Sequence, residues 1–210
     1  MSPFEHAMLA VNGCLATRLQ EKWGWSIAAV AGVSALTPDW DGLTLLGSGA
    51  LFAQAHRVWG HNLVAAASIG VLLGLIDYRF DVLGHCGRRL RRWLPDPPRP
   101  VQWRVEQHRS VRGYLLWSIV AAAAALSHLA GDLLFSGGMG LADWELQLAW
   151  PFSPRGWVYP MVPWGDVGVT LVFAAGMFAM LRRPAGVTQV ARVTLIAVAL
   201  YVLVRGFCFA

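Results

Sequence analysis

Charged side chains are scarce in this chain of 210 residues. They make up 14% of the sequence, whereas they make up about 25% of a soluble domain. Hydrophobic residues account for 56%, and the mean hydropathy is +0.49. This composition argues against an ordinary soluble domain and indicates an integral membrane protein. Because the length suits one compact domain, we expect a single membrane domain over residues 1–210.

Cysteine is also scarce, and a basic N-terminal region is missing. The three cysteines, Cys14, Cys86 and Cys208, are scattered and form no Cys-x-x-Cys pair. This pattern argues against a disulfide framework, so we interpret them as small apolar residues. The N-terminus has Glu5 and His6 where a signal peptide would have basic residues, so we expect no cleavable signal peptide.

The positive charge is concentrated in two groups that lie between hydrophobic segments. The net charge is +5, and the groups are Arg88, Arg89, Arg91, Arg92, Arg99, Arg104, Arg109 and Arg112, then Arg182, Arg183 and Arg192. This distribution is typical of cytoplasmic loops in a bacterial inner-membrane protein, where arginines meet anionic lipid. The chain lacks the interleaved aromatic and basic residues of nucleic-acid-binding modules, so we expect no nucleic-acid partner.

The hydrophobic segments predict an all-α, polytopic membrane helical bundle of about five or six helices. In order they are 4–20, 24–36, 62–78, 113–135, 165–181 and 192–209. The first two are shorter than the about 20 residues of a full span, so they are tilted, re-entrant or paired as a hairpin. The predicted connections are a Gly-rich segment at 42–55, a basic cytoplasmic loop at 85–112 that is broken by Pro95, Pro97, Pro98 and Pro100, an irregular Trp-rich external segment at 136–164, and a short basic loop at 182–191.

The arginine distribution also predicts an orientation for each segment. If the loops at 79–112 and 182–191 are cytoplasmic, the segment 62–78 runs inward and the segment 113–135 runs outward. The segment 24–36 starts beside Arg18 and Lys22 and therefore also runs outward. Its end, the start of 62–78, the end of 113–135 and the start of the first helix then lie at the extracytoplasmic face.

Acid and imidazole side chains recur at these helix ends with the spacing of metal ligands. They are Asp39, Asp41, His56, His61, His128 and Asp132, with His6 as a further candidate. His128 and Asp132 lie one helical turn apart, which suits either a shared metal or a buried His–Asp hydrogen bond. Asp39 and Asp41 can present two carboxylates to one cation, although such pairs are common in ordinary loops. Because ionisable groups beside lipid are costly, their convergence indicates a functional site.

Arg57 lies between two of these candidate ligands, and two interpretations of it stand. Its guanidinium can bind a phosphate oxygen pair. Alternatively, it extends along the interface to lipid headgroups.

Five motifs in this order resemble the bacterial family of membrane-bound metal-dependent hydrolases, whose best-known member is regulated by LexA. They are His6, Pro38-Asp39-Trp40-Asp41, His56-Arg57-Val58-Trp59-Gly60-His61-Asn62, His128-Leu129-Ala130-Gly131-Asp132 and Trp150-Pro151-Phe152-Ser153, and they cover residues 1–155. In the family, Thr usually stands at the position of Gly60 and Ser at that of Asn62. These two departures are expected to alter hydrogen bonds that orient the histidines. They do not replace any of the candidate ligands.

The resemblance implies a hydrolase, and the residues suggest how it would work. The seven acid and imidazole residues would hold one or two divalent metal ions, with Zn²⁺ favoured by mixed N/O ligation and Mn²⁺ or Fe²⁺ as alternatives. Asp41 or Asp132 would act as general base, and Arg57 would bind an anionic substrate. A site at the membrane interface points to an ester or phosphoester of a lipid or lipid-linked molecule.

Three non-catalytic alternatives stay open at this point. The same residues could form a structural metal site or a transport or proton-relay path, and in a purely structural protein they would only pair with one another. Ligands that converge within a few ångströms in an outward-open pocket would favour hydrolysis, whereas residues spread along the bundle axis would favour transport.

Overall fold

The structure is a computed structural model that describes residues 1–93, 102–103, 110–136 and 144–208. The predicted loop prolines (Pro95, Pro97, Pro98 and Pro100), together with Arg99, Arg104 and Arg109, lie outside the described residues. Within them the chain forms nine α-helices, two 3-10 helices (Thr37–Leu46 and Pro184–Gly186) and no strand. The α-helices are α1 (Pro3–Ala16), α2 (Leu19–Trp23), α3 (Ser26–Ser34), α4 (Gly49–Ala55), α5 (Leu63–Phe80), α6 (Val82–Arg91), α7 (Val111–Leu134), α8 (Gly168–Arg182) and α9 (Val187–Cys208). The predicted all-α class is confirmed.

Three segments of the described residues are long and apolar enough to cross a membrane. They are Leu63–Phe80, Val111–Leu134 and Pro184–Phe207. The apolar helix α8 is shorter, with 15 residues, and α1 and α3 have only 14 and 9. These six helices correspond to the hydrophobic segments found in the sequence, including the short first two, so the chain is an all-α membrane helical protein.

The predicted helix 4–20 is wrong at its C-terminal end. The helix α1 ends at Ala16, and the Thr17 hydroxyl donates a hydrogen bond to the carbonyl oxygen of Gly13. Arg18 then adopts a left-handed conformation with φ 61°, after which the separate short helix α2 begins. Because a left-handed residue cannot continue a right-handed helix, the chain changes direction at this point.

The predicted Gly-rich connection at 42–55 is also wrong, because this segment is helical. The 3-10 helix Thr37–Leu46 packs against α4, and Ser48 caps α4 by accepting a hydrogen bond from the Leu51 amide. Residues 37–55 therefore form a compact helical hairpin, which we call the leucine hairpin because Leu43, Leu45, Leu46 and Leu51 lie on it. Glycines and a serine at its centre allow the sharp turn between the two helices.

Both predicted basic loops are partly helical as well. The loop predicted at 85–112 begins with α6, whose start is set by Asp81 in a left-handed conformation (φ 51°). Only a short 3-10 helix separates α8 from α9, so half of the loop predicted at 182–191 belongs to α9. In the predicted irregular segment 136–164, the described residues have no helix and contain one isolated bridge, between Leu146 and Trp157.

Helices α5 and α7 form the central antiparallel pair of the bundle. A Cβ atom on Gly70 would lie 2.7 Å from the Ala122 Cα, and one on Gly74 would lie 2.6 Å from the Trp117 carbonyl oxygen. The Gly-x-x-x-Gly spacing on α5 thus lets the two backbones approach closely, as in many membrane helix pairs. The start of α5 is thereby held beside the end of α7, which brings His61 next to His128.

The remaining helices place two further chain ends at the same level. Helix α3 packs on α1, α5 and α7, so the 3-10 helix that follows it starts beside the end of α7. Helix α1 packs against α3, α7, α8 and α9, and its N-terminus is fixed by a capping box between Ser2 and Glu5. His6, one residue after Glu5, therefore reaches the end of α7.

We expect Gly70→Ile to destabilise the protein, because the added side chain would meet the α7 backbone and force the central helices apart. Overpacking of a close contact costs about 1–3 kcal/mol, which should appear as a lower thermal midpoint and as aggregation in detergent. The matched control is Ser68→Ile, which adds a similar side chain at an exposed position of the same helix. Equal stability of the two variants would contradict the close-packing interpretation.

Candidate metal centre

Four side-chain atoms from three parts of the chain meet at one point between α7, the start of α5 and the 3-10 helix. They are His61 Nε2, His128 Nε2, Asp39 Oδ1 and Asp132 Oδ2. The two nitrogens are 3.2 Å apart. The distances from His61 Nε2 to Asp39 Oδ1 and Asp132 Oδ2 are 3.4 and 3.5 Å, and both distances from His128 Nε2 are 3.5 Å. We call these four residues the ligand quartet.

These separations match those between the ligands of a tetrahedral zinc ion. With metal–ligand bonds of about 2.0–2.1 Å, the ligand atoms of a tetrahedral site lie about 3.3 Å from one another. Five of the six edges of the quartet are given by the distances above, and all fall between 3.2 and 3.5 Å. Two imidazole nitrogens and two carboxylate oxygens are also ligands that zinc commonly has. The residues present therefore fit a single divalent metal ion.

Hydrogen bonds at the opposite ring nitrogens orient both histidines of the quartet. The Nδ1 of His128 lies 2.7 Å from the carbonyl oxygen of Ala35, which can only accept. The Nδ1 of His61 lies 2.8 Å from Asp41 Oδ2. Each Nδ1 must therefore carry a proton and donate it, and in the neutral ring this leaves the Nε2 lone pair directed at the quartet.

Asp41 is fully buried, and its two carboxylate oxygens already accept three hydrogen bonds. The donors are His56 Nδ1 at 2.8 Å, His61 Nδ1 at 2.8 Å and the Gly60 amide at 2.9 Å. Burial disfavours the charged form, but the hydrogen bonds from His56 and His61 outweigh it and lower the pKa of Asp41 to about 2. Asp41 is thus a carboxylate that positions two imidazoles, which fits its predicted general-base role less well than a positioning role.

His56 differs from the other histidines of the cluster because it is partly exposed. Its Nδ1 contacts Asp41 Oδ1, so its Nε2 takes no part in the contact with Asp41. The ring stacks on Phe52 and meets the edge of Trp144, with centroids 4.6 and 5.3 Å away. His56 therefore lies at the rim of the site and outside the ligand quartet.

His6 packs directly behind the quartet. Its ring stacks on His128 with centroids 3.6 Å apart, and its Nε2 lies 3.1 Å from Asp132 Oδ1. The same Asp132 oxygen accepts a hydrogen bond from the Met1 amino group at 2.8 Å. The Nδ1 of His6 is buried and has no hydrogen-bond partner among the described residues. His6 thus supports His128 and Asp132 through the oxygen that faces away from the quartet.

Arg57 is buried, and its guanidinium points inward. One guanidinium nitrogen donates to the Trp144 carbonyl oxygen at 2.7 Å, and another lies 3.6 Å from Asp132 Oδ2. The Arg57 guanidinium carbon is also 4.4 Å from the centroid of the Trp144 ring, at the distance of a cation–π contact. These contacts do not fit an arginine that extends to lipid headgroups, and they place its positive charge beside the quartet.

The surrounding carboxylates give the site a strongly negative field. Burial opposes the charged form of His61, but hydrogen bonds to Asp132, Asp39 and Asp41 outweigh it and raise the pKa of His61 to about 10. A field that retains a proton so firmly also favours a divalent cation at the same position.

Solvent reaches the site from one side. Within the quartet, His61, His128 and Asp132 are buried, whereas the Asp39 side chain is 36% exposed. Asp39 lies on the 3-10 helix, at the base of the leucine hairpin. Access from solvent is therefore along this edge, past Asp39 and the partly exposed His56.

The two departures from the family motif are explained by local geometry. A Cβ on Gly60 would overlap the Pro38 carbonyl oxygen, so this backbone arrangement of the turn requires glycine. Asn62 caps α5 by accepting from the Ala65 amide, a role that serine also performs. The hydrogen bond that orients Asp41 comes from the Gly60 backbone, so it does not depend on the missing threonine hydroxyl.

All seven predicted ligands and Arg57 thus lie in one cluster, with different positions in it. Three groups of these side chains are close enough to share a metal: His6, His128 and Asp132; Asp39, His61 and His128; and Asp41, His56 and His61. Sequence reasoning missed the Ala35 carbonyl and Trp144. The carbonyl carries no sequence signal because every residue has one, whereas Trp144 belongs to the tryptophan-rich segment and could have been singled out only by its contact with Arg57.

Comparison with known proteins gives one match. The model of a family described as YdjM inner membrane protein matches residues 1–209. The chain belongs to the YdjM inner membrane protein family. This membership and the apolar helices place it in the inner membrane, as the arginine distribution predicts. Searches of curated proteins and of solved structures found no match.

We expect Asp41→Asn to weaken metal binding without removing a ligand of the quartet. The amide would present a donor where His56 or His61 needs an acceptor, and disturbed outer contacts typically cost about 10–100-fold in metal affinity. Competition with a chelating dye on purified protein measures the affinity. Asp166→Asn is the matched control, because Asp166 pairs with Arg205 and Tyr201 away from the quartet. Equal affinities in both variants would contradict the positioning role of Asp41.

Proposed function

We propose that this member of the YdjM family is a membrane-embedded, metal-dependent hydrolase that acts on an ester or phosphoester of a lipid or lipid-linked molecule. The observation that carries the proposal is the ligand quartet. Its two Nε2 lone pairs and two carboxylate oxygens face one another within 3.5 Å. These four atoms repel one another unless a positive charge lies among them; a proton on His61 Nε2 supplies it in the absence of metal, and we propose that a divalent ion takes its place.

The proposed cation is a single Zn²⁺, held by Asp39, His61, His128 and Asp132, with Mn²⁺ or Fe²⁺ as alternatives. A divalent metal would polarise a phosphoryl or carbonyl oxygen and make water a better nucleophile. A second ion is not required by the contacts, because Asp41 is saturated by hydrogen bonds and His6 faces the opposite oxygen of Asp132.

The residues around the quartet have separate tasks in this proposal. Arg57 supplies a positive charge next to Asp132, which favours an anionic group such as phosphate. Asp41 holds the Nδ1 protons of His56 and His61, so both rings keep a fixed orientation. His56 then presents Nε2 at the partly exposed rim, where an imidazole can accept a proton from water or donate one to a leaving group.

A structural metal site without catalysis is the main alternative, and transport is the other. Access through the exposed Asp39 edge favours catalysis, because a structural site is normally closed to solvent. The cluster lies at helix ends and not along the bundle axis, which argues against a transport path. In a purely structural pairing of His with Asp, a proton on His61 Nε2 would bridge the two facing Nε2 atoms, and metal analysis distinguishes this pairing from a metal site.

Metal analysis tests the proposal directly. Mass spectrometry of the detergent-solubilised protein should find roughly one zinc or manganese ion per chain, and His128→Ala/Asp132→Ala should lose it. The matched control is His85→Ala/Asp166→Ala, which removes the same residue types away from the quartet. A wild-type protein that binds no metal even after reconstitution would contradict the hydrolase proposal and favour a non-catalytic membrane protein. If metal is present, phosphoester and ester lipids are the substrates to screen first.

We further propose that the chain crosses the membrane several times, with the metal centre at the extracytoplasmic face. Arg79, Arg112, Arg182 and Arg183 lie at the helix ends opposite the quartet, where the positive-inside rule expects the cytoplasm.

A reporter fused after Arg183 should therefore read as cytoplasmic. Green fluorescent protein at this point should fluoresce and alkaline phosphatase should be inactive, whereas fusions after Ser153 should behave in the opposite way. The expression level of each fusion protein is measured, so that a missing signal is not mistaken for poor expression. An external signal after Arg183 would reverse the orientation and move the metal centre to the cytoplasmic side.

A further inference from the structure

The leucine hairpin carries an unusual apolar surface at the open edge of the metal centre. Residues 42–55 contain no charged side chain. Leu43, Leu45 and Leu46 are nevertheless 65%, 59% and 88% exposed. Soluble proteins rarely expose adjacent large apolar side chains of this kind without a partner.

The geometry of the 3-10 helix separates this apolar surface from the metal site. In such a helix, residues three apart lie above one another. Trp40, Leu43 and Leu46 therefore form one stripe, and all three are exposed. Asp41 lies on a different face, is fully buried, and holds the histidines. One short helix thus has one face in the metal site and another directed away from the protein.

The position of the hairpin identifies what covers the stripe. The hairpin leads into the membrane-spanning helix α5 after only a short turn, and the first residues of α5, Leu63 and Val64, are each half exposed. Trp40 of the hairpin and Trp59 of this turn lie side by side, with ring centroids 6.4 Å apart. Tryptophan is enriched where membrane helices meet the headgroup region. The apolar stripe is therefore continuous with the lipid-facing surface of α5.

We propose that the leucine hairpin inserts into the lipid leaflet at the site end of the bundle and guides acyl-chain-bearing substrates to the Asp39 edge of the metal centre. The occupant of the stripe is the acyl region of the bilayer. The absence of charge over residues 42–55 suits this depth, because a charged side chain there would resist burial in lipid. Insertion is inferred only from the apolar surface of the hairpin, whereas substrate guidance rests on the proposed hydrolase function.

Lipid contact is tested by fluorescence quenching on the full-length protein in vesicles. Leu46→Cys is labelled with bimane in a Cys86→Ser/Cys208→Ser background, in which Cys14 is retained because it is buried. The vesicles contain phosphatidylethanolamine and phosphatidylglycerol, with or without phosphatidylcholine brominated on its acyl chains. Leu72→Cys, exposed on the α5 span, is the lipid control, and Ala185→Cys, exposed on the turn between α8 and α9, is the aqueous control.

We expect the label on Leu46→Cys to be quenched by brominated lipid to the extent seen for Leu72→Cys and to be little affected by iodide. Quenching by iodide at the level of Ala185→Cys would overturn the proposal, because the hairpin would then face water. Protection from both quenchers would overturn it as well, because a second copy of the chain would then cover the stripe.

Substrate guidance is tested with Leu45→Ser/Leu46→Ser against the matched variant Leu200→Ser/Leu203→Ser, which removes two exposed leucines from α9. Loss of the apolar contact should lower kcat/KM for a long-chain phosphodiester in vesicles by about tenfold or more. Activity on a water-soluble short-chain analogue and metal content should stay unchanged. Equal losses on both substrates would overturn the guidance role. If the wild type hydrolyses neither substrate while the quenching result holds, the hydrolase proposal fails and the insertion stands.

Discussion

Three carboxylates are buried or partly buried at one end of an apolar bundle. The need to balance their negative charge determines which groups surround them. A carboxylate removed from water costs several kcal/mol unless charged or hydrogen-bonding groups face it. Asp41 meets this requirement with two imidazoles and a backbone amide. Asp132 meets it on one oxygen with His6 and the Met1 amino group, and its other oxygen belongs to the ligand quartet. The proposed cation at the quartet would complete the compensation that these hydrogen bonds leave unfinished.

The precision of the quartet depends on the helix pair beneath it. Gly70 and Gly74 let α5 approach α7 closely, and this approach fixes the distance between the start of one helix and the end of the other. His61 and His128 are 67 residues apart in the chain, yet their Nε2 atoms are 3.2 Å apart. A larger residue at either glycine would push α5 away from α7. The two Nε2 atoms would then move apart, although neither histidine is changed.

In the proposed arrangement, the leucine hairpin links the candidate metal centre to the membrane surface. A 3-10 helix with about three residues per turn can direct Asp41 into the protein and Trp40 away from it. The same short element thus orients the histidines and presents an apolar stripe. This arrangement would suit the proposed hydrolase, since the edge that admits solvent at Asp39 adjoins the surface that we propose contacts lipid.

The sequence by itself determined the class of the protein and the membership of the site. The chain has low charge, long apolar segments and clustered arginines, and together these indicate a membrane bundle. All three properties can be recognised along the linear sequence, without knowledge of the tertiary structure. The arginine asymmetry also predicted that Asp39, His61, His128 and Asp132 would share one end of the bundle, which the structure bears out. It wrongly predicted a connection at 42–55, because Gly and Ser favour turns and hide the two short helices that flank them.

Only the tertiary structure decided the position of each side chain within the cluster. Asp39 and Asp41 are equivalent in the sequence, yet one is a half-exposed member of the quartet and the other is fully buried and saturated with hydrogen bonds. His56 and His61 differ in the same way. These differences arise from contacts between distant segments, such as the Gly60 amide with Asp41 and the Ala35 carbonyl with His128. Backbone groups of this kind are present at every residue, so no sequence pattern distinguishes those that orient a ligand.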